Sequence, residues 1–134
     1  SPIHLSVNQV PVDAGPDADG YMVLDRSWQS GDEVRVEFWM PVRFVKAHPG
    51  VATNRGKVAI ERGPIVYCLE EIDNHSDVRS VTAGNASDWN PDFRADSLGG
   101  VAVLASRDAL AVPYFSWGNR GVGKMAVWLQ DSNA

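Results

Sequence analysis

The side chains here that could do chemistry are one cysteine, three histidines, a scatter of carboxylates and an unusual number of tryptophans. Cys68 sits in Val66-Tyr67-Cys68-Leu69. A nucleophilic cysteine needs a base or a positive dipole beside it in a partly open site. Apolar neighbours on a strand-like run instead make it a small core hydrophobe. His4, His48 and His75 lie far apart without the short spacing that gathers metal ligands. His48, before Pro49-Gly50, reads as a turn residue. Two carboxyl groups about 5 to 10 Å apart would suffice for glycoside chemistry. The candidates are Asp32, Glu33, Glu61, Glu70 and Glu71. Asp32 follows Gly31 in a turn and Glu61 precedes Arg62-Gly63-Pro64, so solvated faces or local ion pairs account for them. No catalytic set and no metal-binding set emerges.

The aromatics say more. Trp28, Trp39, Trp89, Trp117 and Trp128 are many for 134 residues, and Tyr114-Phe115-Ser116-Trp117 runs into Gly118-Asn119-Arg120-Gly121. Sugars present apolar C–H faces that stack on indole, beside hydroxyls that pair with amides and guanidinium. Trp117 with Asn119, Arg120 and Tyr114, or Trp39, is therefore a candidate carbohydrate platform. The competing reading places Trp28 and Trp128 in the core and uses Trp39 and Trp117 to cover an interface. Asn74-His75-Ser76 and Asn85-Ala86-Ser87 match the N-glycosylation acceptor pattern, which matters only in a eukaryotic secretory host.

The elements that must position these residues are strands. Val34, Val36, Phe38 and Met40 alternate with polar neighbours, as do Ile3, Leu5 and Val7, which is the pattern of half-buried strands. Tyr21–Arg26, 42–47, 58–61, 101–105, 110–115 and 125–130 are further strand candidates. The denser run 65–70 reads as a strand covered on both faces. Gly15-Pro16-Asp17, Asp19-Gly20, Ser30-Gly31-Asp32, His48-Pro49-Gly50, Asn54-Arg55-Gly56 and Arg62-Gly63-Pro64 punctuate these runs with turn residues. The stretch around 73–97 is polar and reads as a long connection. The expectation is an all-β chain of eight or so strands, an antiparallel β-sandwich of jelly-roll type, as one domain over 1–134.

Composition sets the outer bounds. A hydrophobic fraction of 44% and a charged fraction of 22% suit a folded domain rather than a disordered chain. Seventeen acidic against twelve basic residues, net −5, argue against phosphate-backbone binding and so against a nucleic-acid partner. The best apolar run, Val101 to Ala105, falls far short of the roughly 18–20 residues of a membrane-spanning helix, so no membrane partner is expected. One cysteine rules out a disulfide framework within the chain. The opening Ser1-Pro2-Ile3-His4-Leu5 has neither initiator Met nor signal-peptide pattern, as in a processed or trimmed protein or a piece of something longer. The compartment is left open between bacterial cytoplasm and periplasm or secretion.

At this point the ordered strings resemble a known family. Gly20-Tyr21, Leu24-Asp25-Arg26-Ser27-Trp28 and Gly31-Asp32-Glu33-Val34 are similar to a stretch of the bacterial β-L-arabinofuranosidases of glycoside hydrolase family 127. Met40-Pro41-Val42-Arg43, Ala47-His48-Pro49 and Val58 through Glu70 continue the resemblance in order. Leu98-Gly99-Gly100-Val101, Val112 through Gly121 and Met125-Ala126-Val127-Trp128-Leu129 resemble the family's C-terminal signature. Val7-Asn8-Gln9 departs from the family's usual Val-Asn-Gly turn, and the likeness is weakest over Asp73 to Asp96.

The resemblance implies a large parent enzyme in which an (α/α)-barrel carries catalysis with a zinc-bound cysteine nucleophile and a glutamate acid/base, followed by β-sandwich domains. Cys68 matches a sandwich position and does not inherit the nucleophile's role. The chain is thus expected to be a non-catalytic accessory domain, without cofactor of its own, whose partner is the barrel or a subunit interface. A carbohydrate-binding module and an oligomerisation domain are the alternatives, with a glycan or a second copy as partner. The resemblance also puts a strand or two upstream of Ser1, which would leave the sandwich incomplete.

Overall fold

The computed structural model of the chain describes residues 3–134. Ser1 and Pro2, which open the stretch used above to judge a leader, lie outside the described residues. The described backbone has eleven strands, four short 3-10 turns and no α-helix, and every ladder is antiparallel. The expectation of an all-β antiparallel fold with an incomplete sandwich holds. The chain divides into two compact units, Ser1–Met40 and Pro41–Ala134.

In the first unit, β1 (Ile3–Val7), β2 (Val10–Pro11) and β3 (Val34–Phe38) form a sheet in the order β2-β1-β3. The β1–β2 hairpin turns on Asn8 and Gln9, both with positive φ (49° and 68°). That is the primed two-residue turn whose twist matches the strands it joins. Asn8 stitches the turn to the start of β3. Its Oδ1 accepts the Glu33 N–H at 2.9 Å, and its Nδ2 donates to Asp32 Oδ1 at 2.7 Å. Leu5 pairs with Val36 and Val7 with Val34, so the apolar side chains of both strands share one face. Leu5 and Val7 are buried, but Val34, Val36 and Phe38 remain exposed. The alternation correctly marks β3 as a strand but overstates its burial, because β3 is an edge strand with β1 on one side only.

Two further expectations fail in this unit. Tyr21–Arg26 is not a strand. Its entry is a turn in which the Asp17 carboxylate accepts the N–H groups of Asp19 and Tyr21, and no ladder partner follows among the described residues. Trp28 is no core residue either. It is 49% exposed, with the Arg26 guanidinium 5.0 Å from its ring centroid.

The second unit is one eight-stranded sheet. It comprises β4 (Val42–Lys46), β5 (Lys57–Arg62), β6 (Ile65–Glu70), β7 (Asn90–Arg94), β8 (Val101–Ala105), β9 (Leu110–Pro113), β10 (Met125–Ala126) and β11 (Trp128–Gln130). The strand order is β11-β5-β6-β9-β8-β7, with β4 also on β5 and β10 also on β6. The run 125–130 is two strands because the chain steps at Val127 from pairing with β6 to pairing with β5. Sharing partners in this way curls the sheet. Its concave layer holds Val58, Ile60, Tyr67, Leu69, Leu104, Ala111 and Leu129, while Cys68, Val101, Val103 and Val112 form a second cluster. Successive residues of β6 feed the two clusters alternately, as expected of a strand covered on both faces.

The polar stretch around 73–97 turns out to carry structure. Val78, Ala83 and Trp89 are buried in the larger cluster. Ala83 N donates to Gln130 O at 2.8 Å, and Gln130 N returns a bond to Val81 O at 3.1 Å. The Trp89 indole N–H donates to Ala83 O at 2.8 Å. Asn74 is buried as well. Its Nδ2 donates to Glu70 O and Leu110 O, and its Oδ1 accepts the Leu110 N–H. The segment then ends in β7, an exposed edge strand that tolerates Pro91 because an edge has one side free of ladder bonds. Three buried anchors spread over a dozen polar residues leave no period to read.

Candidate functional site

A cluster of buried and half-buried charges lies at one end of β6. Glu70 closes that strand, and its carboxylate is almost wholly buried. Arg120 reaches back from the loop after Trp117. Its Nη2 meets Glu70 Oε2 at 2.5 Å, and its two terminal nitrogens form a fork with the Asp73 carboxylate, Nη1 to Oδ1 at 2.7 Å. Glu70 Oε1 takes the Gly118 N–H at 2.8 Å. Its hydrogen bonds to the Asp73 carboxylate foremost, and then to Glu70, hold the guanidinium charged by raising its pKa against the cost of burial. Lys124 N donates to Glu71 Oε2 at 3.0 Å and pins the far end of the same loop. These charges hold residues 114–124 in place.

Of the other candidate carboxylates, Glu61 and Asp32 are also engaged. Glu61 pairs with Arg43 at 2.8 Å on the neighbouring strand. Asp32 accepts from Asn8 and Gln29 and faces Arg26, and these contacts, the Asn8 bond foremost, draw its pKa below the ordinary carboxylate value. The Cys68 thiol is pushed up to about 12, chiefly by burial and next by the Glu70 charge. It is not a thiolate at neutral pH. No three His, Cys, Asp or Glu side chains gather at metal-binding distance among the described residues. His48 Nδ1 accepts the Gly50 N–H at 3.1 Å, the expected turn role.

The aromatics divide. Tyr114 opens a 3-10 turn after β9, and Trp117 follows it. Their ring centroids stand 6.4 Å apart, tilted by 39°, and the residues are 47% and 43% exposed. Both line a groove of about 670 Å³ with Trp128, Val66, Met125, Ala126 and Val127, rimmed by Asn54, Lys57 and Arg79. Asn119 and Arg120 do not line it. The Asn119 amide donates to Ser116 O at 3.0 Å, and Arg120 is held by Glu70 and Asp73. Trp39, 70% exposed, belongs to the first unit and does not line this groove.

The structure thus joins Tyr114 and Trp117 to Trp128, which is absent from the candidate platform and which the competing reading places in the core. The signal was present in the alternation: Leu129 is fully buried, so its neighbour Trp128 must face the other way. Asn54, Lys57 and Arg79 carry no such signal, since they come from three separate parts of the chain.

A curled antiparallel sheet with an aromatic groove on its surface defines a β-sandwich-class module. The family follows from comparison. Residues 42–130 match the glycoside hydrolase family 127 C-terminal domain, beginning where the second unit begins. The chain belongs to glycoside hydrolase family 127.

It is 33% identical to the non-reducing end beta-L-arabinofuranosidase of Bifidobacterium longum subsp. longum, an alignment covering 92% of this chain and 23% of that protein. The crystal structure of a family 127 beta-L-arabinofuranosidase from Geobacillus stearothermophilus T6 matches with a TM-score of 0.72 and 36% identity, over 97% of this chain and 24% of that one. Another family 127 beta-arabinofuranosidase matches with a TM-score of 0.71 and 34% identity, over 98% of this chain and 23% of the other. The chain spans about a quarter of the length of these relatives.

Proposed function

We propose that the chain is a non-catalytic accessory domain that docks on the catalytic portion of a longer family 127 glycosidase. The observation that supports this is how the buried charges are used. Arg120, Glu70 and Asp73 fix the 114–124 loop, and that loop displays Phe115 (73% exposed) and the fully exposed Val122. Ile72, 60% exposed, is tied to the same place through its neighbour Asp73. Ordering a loop costs conformational entropy, and exposing apolar side chains on it gains nothing unless a partner covers them.

The reading is tested with the chain and the catalytic portion expressed as separate polypeptides. The chain alone leaves an aryl β-L-arabinofuranoside intact, with or without zinc, and captures the catalytic portion. Phe115→Asp combined with Val122→Asp weakens capture by about tenfold or more. Turnover by the pure chain, or capture indifferent to both substitutions, overturns the reading.

A further inference from the structure

The groove between Tyr114, Trp117 and Trp128 excludes Phe115 and Val122, the side chains proposed to dock, and its chemistry points elsewhere. Its apolar wall consists of ring faces together with Val66, Met125 and Val127. Its polar groups are Asn54, Lys57 and Arg79, and no carboxylate lines it, in a chain whose net charge is −5. Asp77 accepts the backbone N–H of Arg79 at 3.2 Å but lies outside the lining. Among the described residues the Arg79 guanidinium makes no ion pair and the Asn54 side-chain amide makes no hydrogen bond. Lys57 gives one proton to Thr53 O at 3.0 Å and keeps two.

We propose that this groove binds an acidic oligosaccharide, one whose sugar ring stacks on Trp117 and Trp128 and whose carboxylate is taken by Arg79 and Lys57. Three features select that ligand. The tilted, half-exposed Tyr114–Trp117 pair beside Trp128 suits the puckered C–H face of a sugar better than a flat base or a long alkyl chain. Two cations without a local acid favour an anion, and the guanidinium fork matches the two oxygens of a carboxylate. The Asn54 amide offers a donor and an acceptor, which is what a ring hydroxyl takes. The groove and the Phe115–Val122 surface use different side chains, so either proposal can fail without the other.

The test titrates the purified protein with trigalacturonate and with neutral arabinotriose, following tryptophan fluorescence and, independently, heat. Trigalacturonate is expected to saturate the signal and to bind at least about tenfold more tightly than arabinotriose. Its affinity should fall as salt rises through the range where the screening length drops to about 8 Å. Trp117→Ala and Arg79→Gln each lower the affinity about tenfold or more while leaving the thermal midpoint in place, since both side chains are solvent-accessible. Phe115→Ala changes nothing. No saturable response to either sugar overturns the proposal, as do equal affinities for the two or binding indifferent to both substitutions. A groove variant that instead changes the mass in sedimentation puts a second copy of the chain there, and that too overturns it.

Discussion

At the scale of single residues, the first unit carries a local conflict between backbone and side chain. Asn tolerates the left-handed conformation, whereas Gln9 is held at φ 68° with no compensating bond of its own side chain. The primed turn wants glycine at that position, and Gln9 is also where the sequence departs from the family's usual turn. Gln9→Gly should therefore stabilise the hairpin by about 0.5–1 kcal/mol, the strain relieved outweighing the added freedom of the unfolded chain. Amide exchange at Val10 and Val7 is the readout, and faster exchange in the variant would contradict it. Cys68 shows the opposite kind of agreement: an apolar run on a covered strand was enough to read it as inert packing, and burial holds its thiol at about 12.

Elements were read with uneven success, for one physical reason. Period-two alternation marks a strand wherever one face differs from the other, as at β1 and β3, and the dense apolar runs 65–70 and 101–105 coincide with β6 and β8. It fails where pairing geometry decides. Tyr21–Arg26 is apolar enough for a strand but has no ladder partner among the described residues, and β2 and β7 pair without alternating. Likewise Arg120 looked like a sugar ligand in sequence because Asp73 and Glu70 lie some fifty residues away, and only the folded sheet brings them to it. The element these three charges govern is the 114–124 loop. Arg120→Ala removes the counter-charge from a buried Glu70 and should cost about 3 kcal/mol in urea unfolding, with loss of the Tyr114–Trp117 ring contact. A cost below about 1 kcal/mol would mean that the loop stands without its ion cluster.

For the whole molecule, both apolar clusters lie inside Pro41–Ala134, and the family's C-terminal domain begins at residue 42. A chain beginning at Pro41 should fold by itself, with a cooperative thermal transition and an undiminished β signature in circular dichroism. A broad or absent transition would show that residues 1–40 supply part of the second unit's stability. The first unit buries Leu5 and Val7 but leaves Val34, Val36 and Phe38 open on the same sheet face. A three-stranded sheet of this size is marginal alone, so it should lose its hairpin protection when separated.

The niche around Asn74 has a consequence for production in yeast or insect cells. Oligosaccharyltransferase acts on the nascent polypeptide, before β6 and β9 have closed around that amide. A glycan placed there could not be accommodated once the nitrogen must serve the carbonyls of Glu70 and Leu110, whereas Asn85 stays on the surface. Secretion from such a host would yield a mixture in which molecules modified at the first acceptor never mature, and a bacterial host avoids that loss.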